Sequence, residues 1–208
     1  DTLCDLVDML SSWKINQLQL YTEHTFAYRN HPDVWAAASP MTGDDILQLD
    51  AYCKQRYVEL VPNQNSFGHM EKWFLHPRYA AMSEGVEPNM TLCATDPASL
   101  PFVAGLFDEL LPHFTSRLFN VGCDETQVGE GRSRSECERI GAGRVYLNFL
   151  LGIYREVTKR GFTMMFWGDI ILNHPELISK LPKNVIALNW GYEATHPFEK
   201  EAATFAKS

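Results

Sequence analysis

The chain has 208 residues, about the length of one domain, and its 45% of hydrophobic and 21% of charged residues support a packed core, which excludes a disordered or fibrous protein. Its formal net charge of -8 disfavours nucleic acid and anionic membrane surfaces as partners, because both attract basic proteins. The sequence has no apolar run long enough to span a bilayer.

Helical patterns alternate with short apolar segments along the chain. The spacing of apolar residues predicts helices over residues 2–13, 42–56, 97–114, 142–159, 175–181 and 197–206. Strands are predicted over 15–21, 57–61, 117–121, 163–167 and 185–190. We expect Thr42 to cap the second helix, Pro62 to stop the second strand and Gly161 to close the fourth helix. Such alternation indicates βαβ units and a parallel sheet.

Two architectures have this repeat, the doubly wound sheet and the (β/α)8 barrel. No glycine-rich phosphate-binding motif follows a predicted strand, which removes the main sign of a nucleotide-binding sheet. Polar or aromatic residues instead follow one strand after another: Glu23, Asn65, His69, Asp124, Glu125, Trp167, Asp169, Trp190 and Tyr192. Functional residues at the carboxyl ends of many strands are typical of the barrel, so we predict an α/β fold of the TIM-barrel type.

The predicted barrel is incomplete. A full barrel has eight strands in typically about 250 residues, whereas this sequence predicts five strands and begins with a helix. We expect residues 1–208 to be a single catalytic barrel domain, a fragment that lacks its first and last strands. The sequence begins at Asp1 without Met, so we expect a processed or truncated amino terminus. The sequence predicts no particular oligomeric state.

Two connections, over residues 22–41 and 63–96, are much longer than usual strand-to-helix loops. Both contain aromatic residues, among them Phe26, Trp73 and Tyr79, which argues against disorder. We expect these connections to wall a cleft.

The cysteines and histidines show no metal-binding pattern. The five cysteines are Cys4, Cys53, Cys93, Cys123 and Cys137, an odd number without metal-type spacing. We predict reduced, mostly buried thiols and no disulfide framework. We predict no metal and no cofactor, and we favour a soluble cytoplasmic protein over a periplasmic or secreted one.

Two adjacent carboxylates, Asp124 and Glu125, provide the strongest chemical signal. They follow an apolar strand through Gly122 and Cys123. Neighbouring side chains of a strand point to opposite faces, so the backbone has to turn at the strand end to bring both acids to the barrel mouth. Two close carboxylates repel, which raises the pKa of one and suits it to general acid catalysis. A solvated acidic loop is the alternative.

The segment at 121–125 resembles the Gly-x-Asp-Glu strand end of glycoside hydrolase family 20, the β-N-acetylhexosaminidases, and residues 129–131 are similar to its hexosaminidase D-type branch. Further segments resemble other strand ends of that family, in the same order, at residues 20–26, 60–70, 166–169 and 189–192. The resemblance implies an exo-acting, retaining glycosidase that removes terminal β-linked N-acetylglucosamine or N-acetylgalactosamine from glycans. In that family the substrate's own 2-acetamido oxygen attacks the anomeric carbon.

The resemblance also implies roles for individual residues. Glu125 would be the acid/base, and Asp124 would hold the acetamido group. A chain from Glu23 through His69 would support Glu125, although many family members have Asp where this chain has Glu23. The residues expected to bind the sugar are Asn65, Trp167, Asp169, Trp190 and Tyr192.

Three alternatives stay open at this point. A conventional glycosidase would use a separate nucleophile, for which Asp169 and Glu193 are candidates, and would not require a 2-acetamido group. A barrel fragment could also bind glycans without hydrolysing them. A metal hydrolase is disfavoured, because no known ligand spacing relates His24, His31, His69 and His76.

Overall fold

The predicted strands form one parallel sheet. The computed structural model describes residues 2–207, and its strands are β1 (Gln17–Thr22), β2 (Glu59–Gln64), β3 (Leu118–Asn120), β4 (Thr163–Trp167) and β5 (Ile186–Leu188). They lie in the order β1-β2-β3-β4-β5, each parallel to its neighbour. The predicted order of consecutive strands is confirmed, since a doubly wound sheet would reverse it. Asp1 and Ser208, the ends of the predicted 1–208 domain, lie outside the described residues.

Helices connect the strands and cover the sheet. They are α1 (Thr2–Ser12), α2 (Pro32–Trp35), α3 (Gly43–Lys54), α4 (Glu71–Phe74), α5 (Pro77–Ala80), α6 (Ser99–Leu110), α7 (Arg134–Ile140), α8 (Ala142–Lys159), α9 (Asp169–Leu172), α10 (Pro175–Ile178) and α11 (Phe198–Ala206). The sequence did not predict α2, α4, α5, α7 and α9, which are too short to show a periodic apolar pattern. Among residues 2–207 no helix has the length and hydropathy to cross a bilayer.

The predicted helix ends are confirmed at two positions. The Thr42 hydroxyl accepts a hydrogen bond from the Asp45 amide at 3.2 Å, and the Asp45 carboxylate accepts one from the Thr42 amide at 2.8 Å. This reciprocal capping box satisfies two amides that the first turn of α3 leaves free, and such a cap stabilises a helix by about 1 kcal/mol. Gly161, just after α8, has a φ of 79°, a left-handed conformation that suits glycine.

The predicted stop at Pro62 is wrong. β2 continues through Pro62 to Gln64, and its ladder with β1 is complete over six residue pairs, including Leu20 with Pro62. On the other side β2 pairs with β3 only through Asn63 and Asn120. Proline lacks one amide donor, and this loss is tolerated because the ladder to β1 continues on both sides of it. As a result β2 carries Asn63 and Gln64 up to the edge where the candidate site lies.

The long connections pack against Phe102 of α6 through a cluster of aromatic rings, Tyr28, Trp73 and Tyr79, which belongs to the domain core. Tyr28 and Trp73 are fully buried, and Tyr79 and Phe102 pack edge to face against Trp73 at centroid distances of 5.3 and 5.1 Å. The Trp73 indole also donates to the Glu23 backbone oxygen at 2.8 Å. The buried rings of Tyr28, Trp73 and Tyr79 do not line a cleft; they are part of the domain core, and Trp73 holds the backbone at Glu23.

The cysteines are unpaired, as predicted. All five are free thiols, and Cys53, Cys93 and Cys123 are buried while Cys4 and Cys137 are partly exposed. Burial raises the pKa of Cys123 well above its ordinary value, which keeps this thiol protonated next to the candidate acids. Cys123 is therefore a packing residue.

Candidate active site

The backbone turns sharply where β3 ends. Gly122, Cys123 and Glu125 have φ angles of 69°, 73° and 50°, in the left-handed region that residues other than glycine seldom adopt. At Cys123 and Glu125 such a conformation costs on the order of 1–3 kcal/mol and persists only where the surroundings enforce it, whereas glycine adopts it freely. Here the Trp167 amide donates to the Gly122 oxygen and the Tyr146 hydroxyl donates to the Cys123 oxygen, both at 2.9 Å. The turn brings the adjacent acids to one side of the sheet.

Two glycines allow the strand ends to approach closely. A Cβ atom added at Gly122 would lie 1.8 Å from the Asn65 side-chain oxygen. One added at Gly68 would lie 2.4 Å from the backbone oxygen of Asp124. No side chain fits at either distance, so the connection after β2 and the turn after β3 pack at glycine-only separations. This contact places the neighbouring His69 next to the acids.

His69 lies between the two candidate acids. Its Nε2 atom is 3.4 Å from Asp124 Oδ2 and 3.3 Å from Glu125 Oε2. The exposed fraction of the side chain is 21% for His69, 17% for Asp124 and 49% for Glu125, so one acid is sheltered and the other faces solvent. His69 itself has a left-handed φ of 53°. The structure thus brings together three residues that the sequence places on two different strand ends.

The surrounding carboxylates favour the protonated form of His69. Hydrogen bonding to Asp124 is the largest cause that raises the pKa of His69 to about 9 from 6.5; burial opposes it, and the charges of Asp124, Glu71 and Glu125 add to it. His69 is therefore an imidazolium at neutral pH. Because its pKa is raised, the attraction is complete below about pH 6.5 and is lost as the pH rises through about 9.

Glu23 is oriented by a hydrogen-bond chain that sequence reasoning missed. The Asn65 amide donates to the Tyr21 hydroxyl, and that hydroxyl donates to the Glu23 carboxylate, both at 2.8 Å. Burial and the neighbouring carboxylate raise the pKa of Tyr21, so it stays a donor. Residues two apart on a strand share a face, and this spacing between Tyr21 and Glu23 is a signal that could have identified Tyr21.

Asn65 is enclosed at the carboxyl end of β2. The residue is 1% exposed; its amide donates to Tyr21, and its Oδ1 atom has no hydrogen-bond partner among the described residues. Contact of Asn65 with a sugar stays a prediction. Its place in the hydrogen-bond chain makes it a buttress for Tyr21.

Two groups of ligand-type atoms surround His69. One contains Glu23, His69 and Glu71, and the other contains His69, Asp124 and Glu125; within each, the atoms lie within 4.8 Å of one another. Both could hold a cation by geometry. A protonated imidazole has no lone pair to offer, however, so a metal would have to displace the proton that the high pKa of His69 retains.

Asp169 links the acids to a neighbouring cavity. Its Oδ2 atom accepts a hydrogen bond from the Glu125 amide at 3.0 Å, and burial, with the nearby charge of Asp124, raises its pKa. The cavity has a volume of about 470 Å³ and is lined by Asp169, Trp190 and Tyr192 among others. The Trp190 side chain faces Asp169 and acts as a hydrogen-bond donor that opposes the rise of its pKa. A cavity with a carboxylate and aromatic rings in its wall is suited to bind a polar ligand.

The aromatic residues predicted to bind the sugar lie in different settings. Trp167 ends β4 and is partly buried. Trp190 is partly buried, and its ring lies 5.5 Å from that of Tyr192, which is 92% exposed. The structure thus brings Trp190, Tyr192 and Asp169 to one cavity, with Trp167 at the adjacent strand end. Contact of these rings with a sugar stays a prediction.

The sequence matches the family model described as glycosyl hydrolase family 20, catalytic domain, over residues 1–205. Hexosaminidase D from Bos taurus is 24% identical over 202 residues, which cover 92% of this chain and 58% of that protein. Hexosaminidase D from Homo sapiens is also 24% identical, with 92% and 42% covered. The chain spans about half the length of these curated relatives.

The fold is also similar to solved structures. The crystal structure of a β-N-acetylhexosaminidase from Bacteroides fragilis superposes with a TM-score of 0.76, at 18% sequence identity, over 99% of this chain and 44% of that one. This likeness supports the fold: the five described strands form part of a (β/α)8 barrel, as predicted.

Proposed function

Because this chain belongs to glycosyl hydrolase family 20, we propose that it contributes the acid/base centre of a retaining exo-β-N-acetylhexosaminidase. The substrates would be glycans or glycoconjugates that end in β-linked N-acetylglucosamine or N-acetylgalactosamine. The observation that carries the proposal is the placement of Asp124 and Glu125 within 3.4 Å of His69, at the carboxyl edge of a parallel sheet.

In the first step Glu125, as the acid, gives its proton to the glycosidic oxygen. The acetamido oxygen of the substrate forms a bond to the anomeric carbon as the bond to the leaving group breaks, which yields an oxazolinium. In the second step the Glu125 carboxylate takes a proton from water, and that water attacks the anomeric carbon and opens the oxazolinium ring, which restores the acetamido group. Two displacements at one carbon retain the β configuration.

Asp124 is suited to the acetamido group. Its Oδ1 atom is buried and has no partner among residues 2–207, so it can accept the acetamido N–H. Its Oδ2 atom faces His69 at 3.4 Å. A sheltered carboxylate in this position orients the acetamido oxygen and stabilises the positive charge that develops on the oxazolinium.

His69 and Glu23 would support Glu125. After Glu125 has lost its proton, its carboxylate lies 3.3 Å from the positively charged His69, which stabilises the anion. Tyr21 holds the Glu23 carboxylate at the carboxyl end of β1, next to the cluster around His69. A Glu23 oxygen and a His69 ring nitrogen lie within 4.8 Å of each other, so Glu23 would extend the chain from His69 in the place that many family members give to Asp.

A conventional mechanism with Asp169 as nucleophile is less well supported. Asp169 is sheltered, and burial is the largest cause that raises its pKa. One of its oxygens is also engaged by the Glu125 amide. Asp169 is better suited to hold the Glu125 backbone in place and to meet a sugar hydroxyl at the cavity.

The proposal is tested with the full-length protein and three aryl β-glycosides: the N-acetylglucosaminide, the N-acetylgalactosaminide and the plain glucoside. We expect hydrolysis of one or both acetamido substrates, no turnover of the glucoside, and a β-configured first product by NMR. Equal hydrolysis of the glucoside would refute substrate assistance. Binding without hydrolysis of any of the three would refute the enzyme in favour of a glycan-binding protein.

A further inference from the structure

A fourth carboxylate, Glu71, faces the His69 cluster. Glu71 begins α4, two residues after His69. One of its oxygens, one of the Glu23 oxygens and a ring nitrogen of His69 lie within 4.8 Å of one another. The sequence did not single out Glu71, because nothing in the local pattern marks it.

The position of Glu71 differs from that of an ordinary surface acid. Its Oε2 atom is buried and has no hydrogen-bond partner among the described residues. The start of α4 is held in place, since the Met70 amide donates to the Met90 oxygen at 2.9 Å and the Trp73 amide donates to the Met70 oxygen at 3.0 Å. Burial of an unpartnered carboxylate oxygen is unfavourable unless a nearby cation compensates it. His69 provides that cation.

We propose that Glu71 is a positioning residue, which together with Glu23 holds a protonated His69 in place. The inference rests on the proposed function, because His69 is there the support of Glu125. The charged groups that face His69 are Glu23 from the end of β1, Glu71 from α4, and Asp124 and Glu125 from the turn after β3. Two of these carboxylates thus come from the connections after β1 and β2, and two come from the turn after β3.

The electrostatics agree with this arrangement. Among the charges that raise the pKa of His69, that of Glu71 follows Asp124 and precedes Glu125. Removal of the Glu71 charge should therefore lower the His69 pKa and free the ring, while the acids themselves remain. The expected signature is a change in pH dependence with little change in substrate binding.

The test compares Glu71→Gln, which keeps the shape and removes the charge, with Glu130→Gln, which removes an exposed carboxylate from the connection between β3 and α7. The His69 pKa is measured by NMR titration in the full-length protein, beside kcat/KM against pH. We expect Glu71→Gln to lower the His69 pKa by about one pH unit, since a neighbouring charge typically shifts a pKa by about 1–3. The alkaline limb of kcat/KM should move equally, with KM nearly unchanged and Glu130→Gln without effect. Glu71→Asp, which keeps the charge, should restore most of the shift.

Two results would overturn the inference. One is an unchanged His69 pKa in Glu71→Gln. The other is a His69 pKa near 6.5 in the wild-type protein, a measurement that does not depend on the folding of any variant. If the wild-type protein hydrolyses no N-acetylhexosaminide, the proposed function fails, and the titration still decides the role of Glu71. If the wild-type protein hydrolyses the substrate and the His69 pKa is unchanged in Glu71→Gln, the positioning role of Glu71 is excluded and the proposed function stands.

Discussion

Replacement of Glu125 by Gln is the most direct test of the proposed chemistry. The amide has nearly the shape of the carboxylate and keeps an oxygen for the contact that Glu125 makes with His69 at 3.3 Å. The side chain is 49% exposed, so we expect a change in unfolding free energy within about 0.5 kcal/mol. What is lost is the transferable proton, and general acid/base catalysis typically contributes about 10²–10⁴ in rate. That factor corresponds to about 2.7–5.4 kcal/mol in transition-state stabilisation.

The size of the loss should depend on the leaving group. An alkyl N-acetyl-β-glucosaminide needs protonation of its leaving oxygen, so kcat/KM should fall by about 10³ or more in Glu125→Gln. The leaving group of a dinitrophenyl glycoside departs without a proton. Formation of the oxazolinium from this substrate should therefore be nearly unaffected in a stopped-flow measurement. Glu130→Gln is the matched control for the loss of one carboxylate. Near-normal turnover of the alkyl substrate by Glu125→Gln would refute the assignment of Glu125 as the acid/base.

Three further predictions follow from the site. A thiazoline mimic of the oxazolinium should inhibit far more strongly than N-acetylglucosamine, because Asp124 and the carboxylates around it favour a cationic ring; equal inhibition constants would indicate a conventional nucleophile. The value of kcat/KM should decrease at alkaline pH with an apparent pKa of about 9, because His69 loses its proton there and no longer attracts the acids. A profile that is flat to about pH 10.5 would exclude a catalytic requirement for protonated His69. Gly68→Ala should reduce both the melting temperature and the activity, since its Cβ would lie 2.4 Å from the Asp124 backbone oxygen. Gly105→Ala is the control and should reduce neither, because a Cβ there meets nothing within 4 Å. Equal melting temperatures of the two variants would show that the close approach at Gly68 is not required.

The elements that could be predicted are those with a complete local pattern. The bounds predicted for α8 (Ala142–Lys159) and β4 (Thr163–Trp167) agree with the structure residue by residue, because each carries an apolar face along its whole length. Pro62 was misread because its effect depends on the two neighbouring strands. Whether a missing donor ends a strand is decided by the ladder to β1, which sequence patterns do not show.

The site could be predicted where its residues follow a strand. Asp124 and Glu125 were identified because they follow an apolar strand, and His69 because the segment that contains it resembles a family motif; the structure brings the three together. Tyr21 was missed although its spacing from Glu23 on β1 indicates a shared face, and Glu71 was missed because its contact with His69 depends on how the connection after β2 folds. The left-handed conformations at Cys123 and Glu125 were likewise hidden, because neither residue type indicates a turn of this kind. The roles of these residues in catalysis stay predictions.

The aromatic cluster under the long connections lies at the end of the domain core that carries Glu23 and His69, and it is continuous with the core beneath the sheet. Trp73 ties this cluster to Glu23, and α4, which starts just after His69, is part of it. Proteins open in cooperative units whose free energies can be far below that of global unfolding. If this cluster opens as one such unit, His69 and Glu23 leave the acids while β3 keeps Asp124 and Glu125 in place. Hydrogen exchange at the Trp73 indole, rather than the melting of the sheet, would then report the temperature at which the acid/base centre is dismantled.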